Sequence, residues 1–135
     1  MARAIGIDFG AKRTGIAVTD PLRISVNALA SILTEELESY LFHYFSKESV
    51  DLIVLGDPYH KDGTPTDLHF LIHSFGNKLM HAYPKTEVKY IDERNTSAQA
   101  VQVMIKKGTP KQKRNKEAID QMSAILILQK YLNHI

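Results

Sequence analysis

At 135 residues the chain has the length of one domain, enough to bury about two thirds of the surface it exposes when unfolded, and its 44% hydrophobic and 24% charged content excludes a disordered or fibrous protein. With no cysteine there is no disulfide framework, thiolate metal cluster or cysteine nucleophile. No apolar run approaches the roughly 20 residues of a bilayer span and the first residues do not read as a signal peptide, so the expected location is the cytoplasm, away from membranes. The net charge of +2 hides a local asymmetry. Lys106, Lys107, Lys111, Lys113, Arg114 and Lys116 crowd one acid-free stretch, leaving eleven basic residues elsewhere against all 15 acids. Such a segment is either a solvated lysine-rich loop or a contact for a polyanion, with phosphate the usual target.

In chain order, residues 4–8 alternate as a strand does: Ile5 and Ile7 share one face, and Ala4, Gly6 and Asp8 the other. After the turn Gly10-Ala11-Lys12-Arg13 the alternation resumes, with Ile16 and Val18 opposite Gly15 and Ala17, which predicts a β-hairpin with one bulky and one small face. Residues 24–29 supply a third antiparallel strand. Thr34, followed by Glu35 and Glu36, predicts a side-chain-capped helix start, continued by Leu37, Leu41, Tyr44 and Phe45, with Tyr40 and its neighbours at the core edge.

The apolar run Leu52-Ile53-Val54-Leu55 is that of a parallel strand buried on both faces. A loop with an Asp62-Gly63 turn leads to a helix over 66–82 and a short strand at 88–91. Thr96 with Gln99 has the spacing of a capping box for a helix ending at Lys107 and Gly108. Residues 109–115 read as a flexible loop, and 117–132 as a helix apolar nearly all round, hence buried. His69 and His73 stand at i and i+4, a spacing that can bind metal; with no evident third ligand they are expected on a solvated helix face.

Asp8 on a strand and Asp120 on the last helix, with Ser123 and Ala124 beside it, both lie on small-residue faces. Carboxylates so placed cost several kcal/mol unless paired or metal-bound. Glu93, at a strand end, is positioned to join them, and an oxygen-only donor set selects Mg²⁺ or Mn²⁺ over zinc.

In order and context, Ile5-Gly6-Ile7-Asp8-Phe9-Gly10, Asp92-Glu93-Arg94-Asn95-Thr96-Ser97 and Ile119-Asp120-Gln121-Met122-Ser123-Ala124 resemble the YqgF/RuvX family. Arg13-Thr14-Gly15-Ile16-Ala17, the Gly56-Asp57-Pro58 loop with Asp62-Gly63-Thr64, and the closing run from Ile125 to Leu132 extend the likeness over nearly the whole chain. Asp57 and Asn95 depart from it, each standing where the family more often has an apolar residue.

The resemblance implies an α/β, ribonuclease H-like single domain over 1–135, a mixed sheet of about five strands flanked by helices. It further implies a metal-dependent endonuclease that matures the 5′ end of precursor 16S ribosomal RNA or resolves branched DNA such as Holliday junctions. Asp8, Glu93 and Asp120 would then be the catalytic metal ligands, holding one or two ions of Mg²⁺ or Mn²⁺ for two-metal hydrolysis of phosphodiesters. Arg13 and Arg94 would clamp phosphate, while Lys113, Arg114 and Lys116 would steer a nucleic-acid backbone. Arg94 has a second reading, as a structural pair with Asp92 or Glu93.

Two other functions fit the same residues: a non-catalytic RNA-binding factor in ribosome assembly, and nucleotide-phosphate binding with phosphoryl transfer. The second is suggested by Asp8-Phe9-Gly10 with Thr14-Gly15, but it needs a further domain to close over the nucleotide. A monomer and a homodimer are both compatible with the chain.

Overall fold

The computed structural model describes residues 2–59, 62–93 and 96–135. Five strands, β1 (Arg3–Asp8), β2 (Arg13–Thr19), β3 (Val26–Leu33), β4 (Val50–Asp57) and β5 (Glu87–Asp92), form one mixed sheet in the order β3-β2-β1-β4-β5. The hairpin pair β1–β2 and its extension to β3 are antiparallel, whereas β4 and β5 run parallel to β1. Helices α1 (Leu37–Lys47), α2 (Asp67–Ala82), α3 (Thr96–Lys106) and α4 (Lys116–Tyr131) complete the chain.

The alternation seen in the sequence divides the core in two. Ile5, Ile7, Ile16 and Val18 join Ile53 and Leu55 against Leu37 and Leu41 of α1 and Ile72, Phe75 and Leu79 of α2. On the opposite face Ala4 and Val54 pack with Ile127 and Leu128 of α4. The small residues let that helix sink close to the sheet. A methyl group on Gly6 would meet the Ala124 carbonyl oxygen and Leu128 Cβ at 2.8 Å, and one on Gly15 would collide with the Asp120 carbonyl.

Several elements differ from their sequence expectation, each for a local reason. β3 starts later and runs longer than 24–29, because Asp20 Oδ1 accepts from the Ile24 and Ser25 amides and holds that segment in a turn. Thr34 does not cap α1; it opens a 3₁₀ turn over Thr34–Glu36, and its hydroxyl donates to the Gly10 carbonyl at 2.7 Å and pairs with Thr14 at 2.8 Å, stapling the first hairpin turn.

The Thr96–Gln99 capping box is not formed: Thr96 Oγ1 is buried with no partner among the described residues, and Gln99 accepts from Lys130. Gly108, at φ 77°, does end α3, with Thr109 donating back to Met104 at 2.9 Å. The segment 109–115 contains a 3₁₀ turn, Lys111–Lys113, where an unstructured loop was expected, and Asn115 caps α4 by accepting from Ala118 at 2.8 Å. α4 packs on the sheet and is flanked by α3; Lys116 and Glu117 in its first turn are exposed, and every residue from Ala118 to Tyr131 is buried or half-buried, as its nearly continuous apolar surface predicts.

Candidate active site

The strand order places the ends of β1, β4 and β5 side by side at one edge, where an α/β sheet gathers ligands. Asp8 ends β1 and Glu93 directly follows β5. Asp120 sits one turn into α4 and is carried to the same edge by the close approach of that helix over Gly15. All three line a cavity of about 320 Å³, with Phe9, Gly10, Pro58, Leu68, Thr96 and Ser97 forming its other walls. Glu93 Oε2 occupies the space that a side chain at Gly56 would fill, so the absence of a Cβ there makes room for the carboxyl.

Asp8 and Glu93 hydrogen-bond to each other, which requires a proton between them. Burial, then the Asp8 charge, pushes the Glu93 carboxyl up to about 10; Lys130 opposes this and Asp57 adds to it. Burial also raises Asp8 to about 6, against the lowering effect of its bond to Glu93 and with the Asp120 charge adding to the rise. Asp120 is raised chiefly by burial, with the Lys116 and Arg13 charges acting in the opposite sense. Its Oδ2 is buried without a hydrogen-bond partner among the described residues. A proton held between two carboxylates and a third acid with an orphaned oxygen leave negative charge uncompensated, and oxygen donors of this kind fit a hard divalent cation.

The basic candidates are placed unevenly. Arg13, at the start of β2, donates to Glu117 of α4 at 3.0 Å, while its Nε is buried with no partner among the described residues; its charge reaches Asp120. Lys116, the first residue of α4, also acts on Asp120, and Lys113 and Arg114 lie in and just after the 3₁₀ turn that precedes it. Arg94 and Asn95 lie outside the described residues.

One expectation is overturned. His69 and His73 do not form a solvated face; they turn inward on α2 to hold Asp57, which is 3% exposed at the end of β4. Asp57 Oδ1 lies 2.7 Å from His69 Nδ1, and Oδ2 lies 2.7 Å from His73 Nε2 and accepts from the Tyr59 hydroxyl at 3.2 Å. Their spacing on one helix face was legible, but the third partner comes from a strand end twelve residues before His69, which no helical pattern reveals. Thr96, read as half of a capping box, and Ser97 were likewise missed as cavity walls.

The family model described as RuvX, Holliday junction resolvase, matches residues 2–134. The chain belongs to the RuvX family. Among its relatives, a Flavobacterium johnsoniae protein described as "Putative pre-16S rRNA nuclease" is 40% identical over 98% of this chain and 97% of its own length. A Porphyromonas gingivalis protein of the same description is 40% identical over 99% and 98%. Among solved structures, the fowlpox virus Holliday junction resolvase superposes with a TM-score of 0.56 at 12% identity, covering 98% of this chain and 99% of that one. RuvC of Thermus thermophilus, bound to a Holliday junction substrate, gives 0.54 at 15%, covering 99% and 96%. These likenesses show that this RuvX chain has the resolvase-type, ribonuclease H-like fold, with its mixed five-stranded sheet and flanking helices. No helix among the described residues is long and apolar enough to cross a membrane.

Proposed function

We propose that the chain is a metal-dependent endonuclease that hydrolyses phosphodiester bonds, acting in maturation of the 5′ end of precursor 16S ribosomal RNA. The observation that carries this reading is the convergence of Asp8, Glu93 and Asp120 on one cavity at the strand ends, with a buried carboxylate oxygen of Asp120 that has no partner among the described residues. These three side chains would hold Mg²⁺ or Mn²⁺. When bound, such an ion supplies Lewis-acid activation of a water and stabilisation of the leaving oxygen. To hold the ion, Asp8 and Glu93 would have to be deprotonated, since metal ligands bind as carboxylates.

Thr96 and Ser97 present the first turn of α3 to the cavity, where backbone amides and the helix dipole favour a phosphate. Lys113, Arg114 and Lys116 form the approach along which a polyanion reaches Asp120, and Arg13 and Arg94 serve as phosphate contacts. Arg13 changes partner from Glu117 in doing so. RNA is favoured over branched DNA because the relatives sharing about 40% identity over the full chain carry the ribosomal RNA description, whereas the junction-bound structures share only the fold.

The test is cleavage of a labelled precursor 16S 5′ segment and of a four-way DNA junction, with Mg²⁺ or Mn²⁺, by the wild type and by Asp8→Asn and Asp120→Asn. Ion-dependent cutting of the RNA that disappears in both variants is expected. Cutting of the junction alone would move the substrate to branched DNA, and tight RNA binding with no cutting would establish an assembly factor instead.

A further inference from the structure

We propose that Asp57, His69 and His73 form a second cation site, distinct from the acidic trio and built for a first-row transition ion of the Zn²⁺ type. Among the described residues this is the set of three whose ligand atoms all lie within 4.8 Å of one another. Two imidazole nitrogens and one carboxylate oxygen form a borderline-soft donor set that suits zinc and its neighbours, where the acidic trio offers oxygen alone.

The arrangement is held before any ion arrives. His69 and His73, one helical turn apart on α2, have ring centroids 4.3 Å apart, and each is braced from outside the pair. His73 stacks on Tyr90 of β5 with centroids 4.0 Å apart and planes 8° from parallel, while His69 lies against Tyr59 at 5.5 Å. Asp57 is fixed by the strand and by three side-chain contacts. Buried as it is, its charge needs a counter-charge, which a cation between the rings supplies. The site is also reachable, because 20% of the His69 side chain and 39% of that of His73 remain exposed.

Loading puts one cation where the ring N–H groups now meet Asp57, each imidazole then carrying its proton on its other ring nitrogen, with any imidazolium proton released to water. Tetrahedral coordination at about 2.0–2.1 Å places neighbouring ligand atoms roughly 3.3 Å apart, so with Asp57 binding through Oδ1 its 2.7 Å contact with His69 Nδ1 opens by about 0.6 Å. A small ring rotation of His69, the side chain not stacked on Tyr90, accommodates most of that change. The ion then clips the α2 helix to the end of β4, next to the point where the Glu93 amide donates to the Asp57 carbonyl at 3.2 Å.

The experiment titrates Co²⁺, then Zn²⁺ in competition, into the full chain stripped of metal and kept in excess Mg²⁺ so that the acidic trio is occupied. Visible d–d absorption of Co²⁺ and the imidazole ring resonances are followed. One equivalent is expected in the wild type and in Asp8→Asn. Affinity should fall at least about tenfold in His69→Gln and in His73→Phe, which keeps a ring on Tyr90.

In the wild type alone, the ring signals of His69 and His73 should shift with Zn²⁺ while those of His43, His81 and His134 stay in place. This readout does not depend on a variant folding. Unchanged binding in both histidine variants, loss only in Asp8→Asn, or histidine signals indifferent to Zn²⁺ would each overturn the proposal.

Discussion

Removing one charge from the Asp8–Glu93 pair should stabilise the ion-free protein at alkaline pH, the reverse of what truncating a buried polar contact usually does. In the folded chain Glu93 is raised from 4.5 to about 10 and Asp8 from 3.8 to about 6, both mainly by burial. The folded state therefore binds the shared proton more tightly than the unfolded one. Its contribution to stability is fully present below the unfolded values and is lost as pH rises toward the folded ones. Each pH unit inside that window removes about 1.4 kcal/mol per carboxyl, so the three units from pH 5 to pH 8, all inside the Glu93 window, remove about 4 kcal/mol, counting the shared proton once.

In Asp8→Asn the repulsion is gone and Glu93 can ionise beside a neutral amide, so the pH-dependent loss shrinks and the variant should exceed the wild type at pH 8 by about 1–3 kcal/mol. For a chain of this length that corresponds to a Tm higher by roughly 4–10 °C. The assay is a set of urea and thermal melts of both proteins at pH 5 and pH 8 in chelator, repeated in saturating Mg²⁺. There the wild type should recover about 3 kcal/mol at an ion concentration one hundred times its Kd, and the variant little. An ion-free wild type whose stability, relative to Asp8→Asn, does not fall between pH 5 and pH 8 would refute the shared-proton account.

Gly15→Ala should destabilise the fold by about 1–3 kcal/mol in urea melts, because the new methyl meets the Asp120 backbone and pushes α4 off the sheet; it should also reduce cleavage by displacing Asp120. Thr34→Val should cost about 1–3 kcal/mol, read as a lower Tm, since it removes the donor to the Gly10 carbonyl and the partner of the buried Thr14 hydroxyl. Charge reversal of Lys113 and Arg114 together should weaken RNA binding across sequences and make the slope of log K against log salt shallower by about 1.5, with the melting curve unchanged.

The sheet was readable because its chemistry is local. Bulky and small residues alternate in β1 and β2, and an uninterrupted apolar run marks β4, so strand identity, pairing sense and the two core faces followed from periods of two and from runs. What failed were the polar side chains. Thr34, Thr96 and Gln99 have the composition of caps, but each meets a competing demand set by the tertiary structure: a hairpin carbonyl for Thr34, a cavity wall for Thr96, and Lys130 for Gln99. A capping motif specifies what a side chain can bond, and the fold decides which available group reaches it first.

The two ligand clusters differ in legibility for the same reason. Asp8 and Asp120 could be found because a charge on a small-residue face is locally anomalous, and the anomaly points to a close approach that Gly15 makes real. Asp57 shows no such anomaly: an acid between glycine and proline after an apolar strand reads as an ordinary loop residue. Its environment is made by α2, which returns antiparallel over the sheet and lays two histidines across the strand end. The inward turn of His69 and His73 follows from a long-range demand, since a carboxylate 3% exposed must be hydrogen-bonded and these rings are what the fold brings within reach. Asp57 also adds to the charge that raises Glu93, so it is electrostatically joined to the acidic trio. Neutralising Asp57 therefore changes the field at Glu93 as well as the hold on α2, which makes an Asp57 variant a poor probe of either site alone and the histidine variants the cleaner ones.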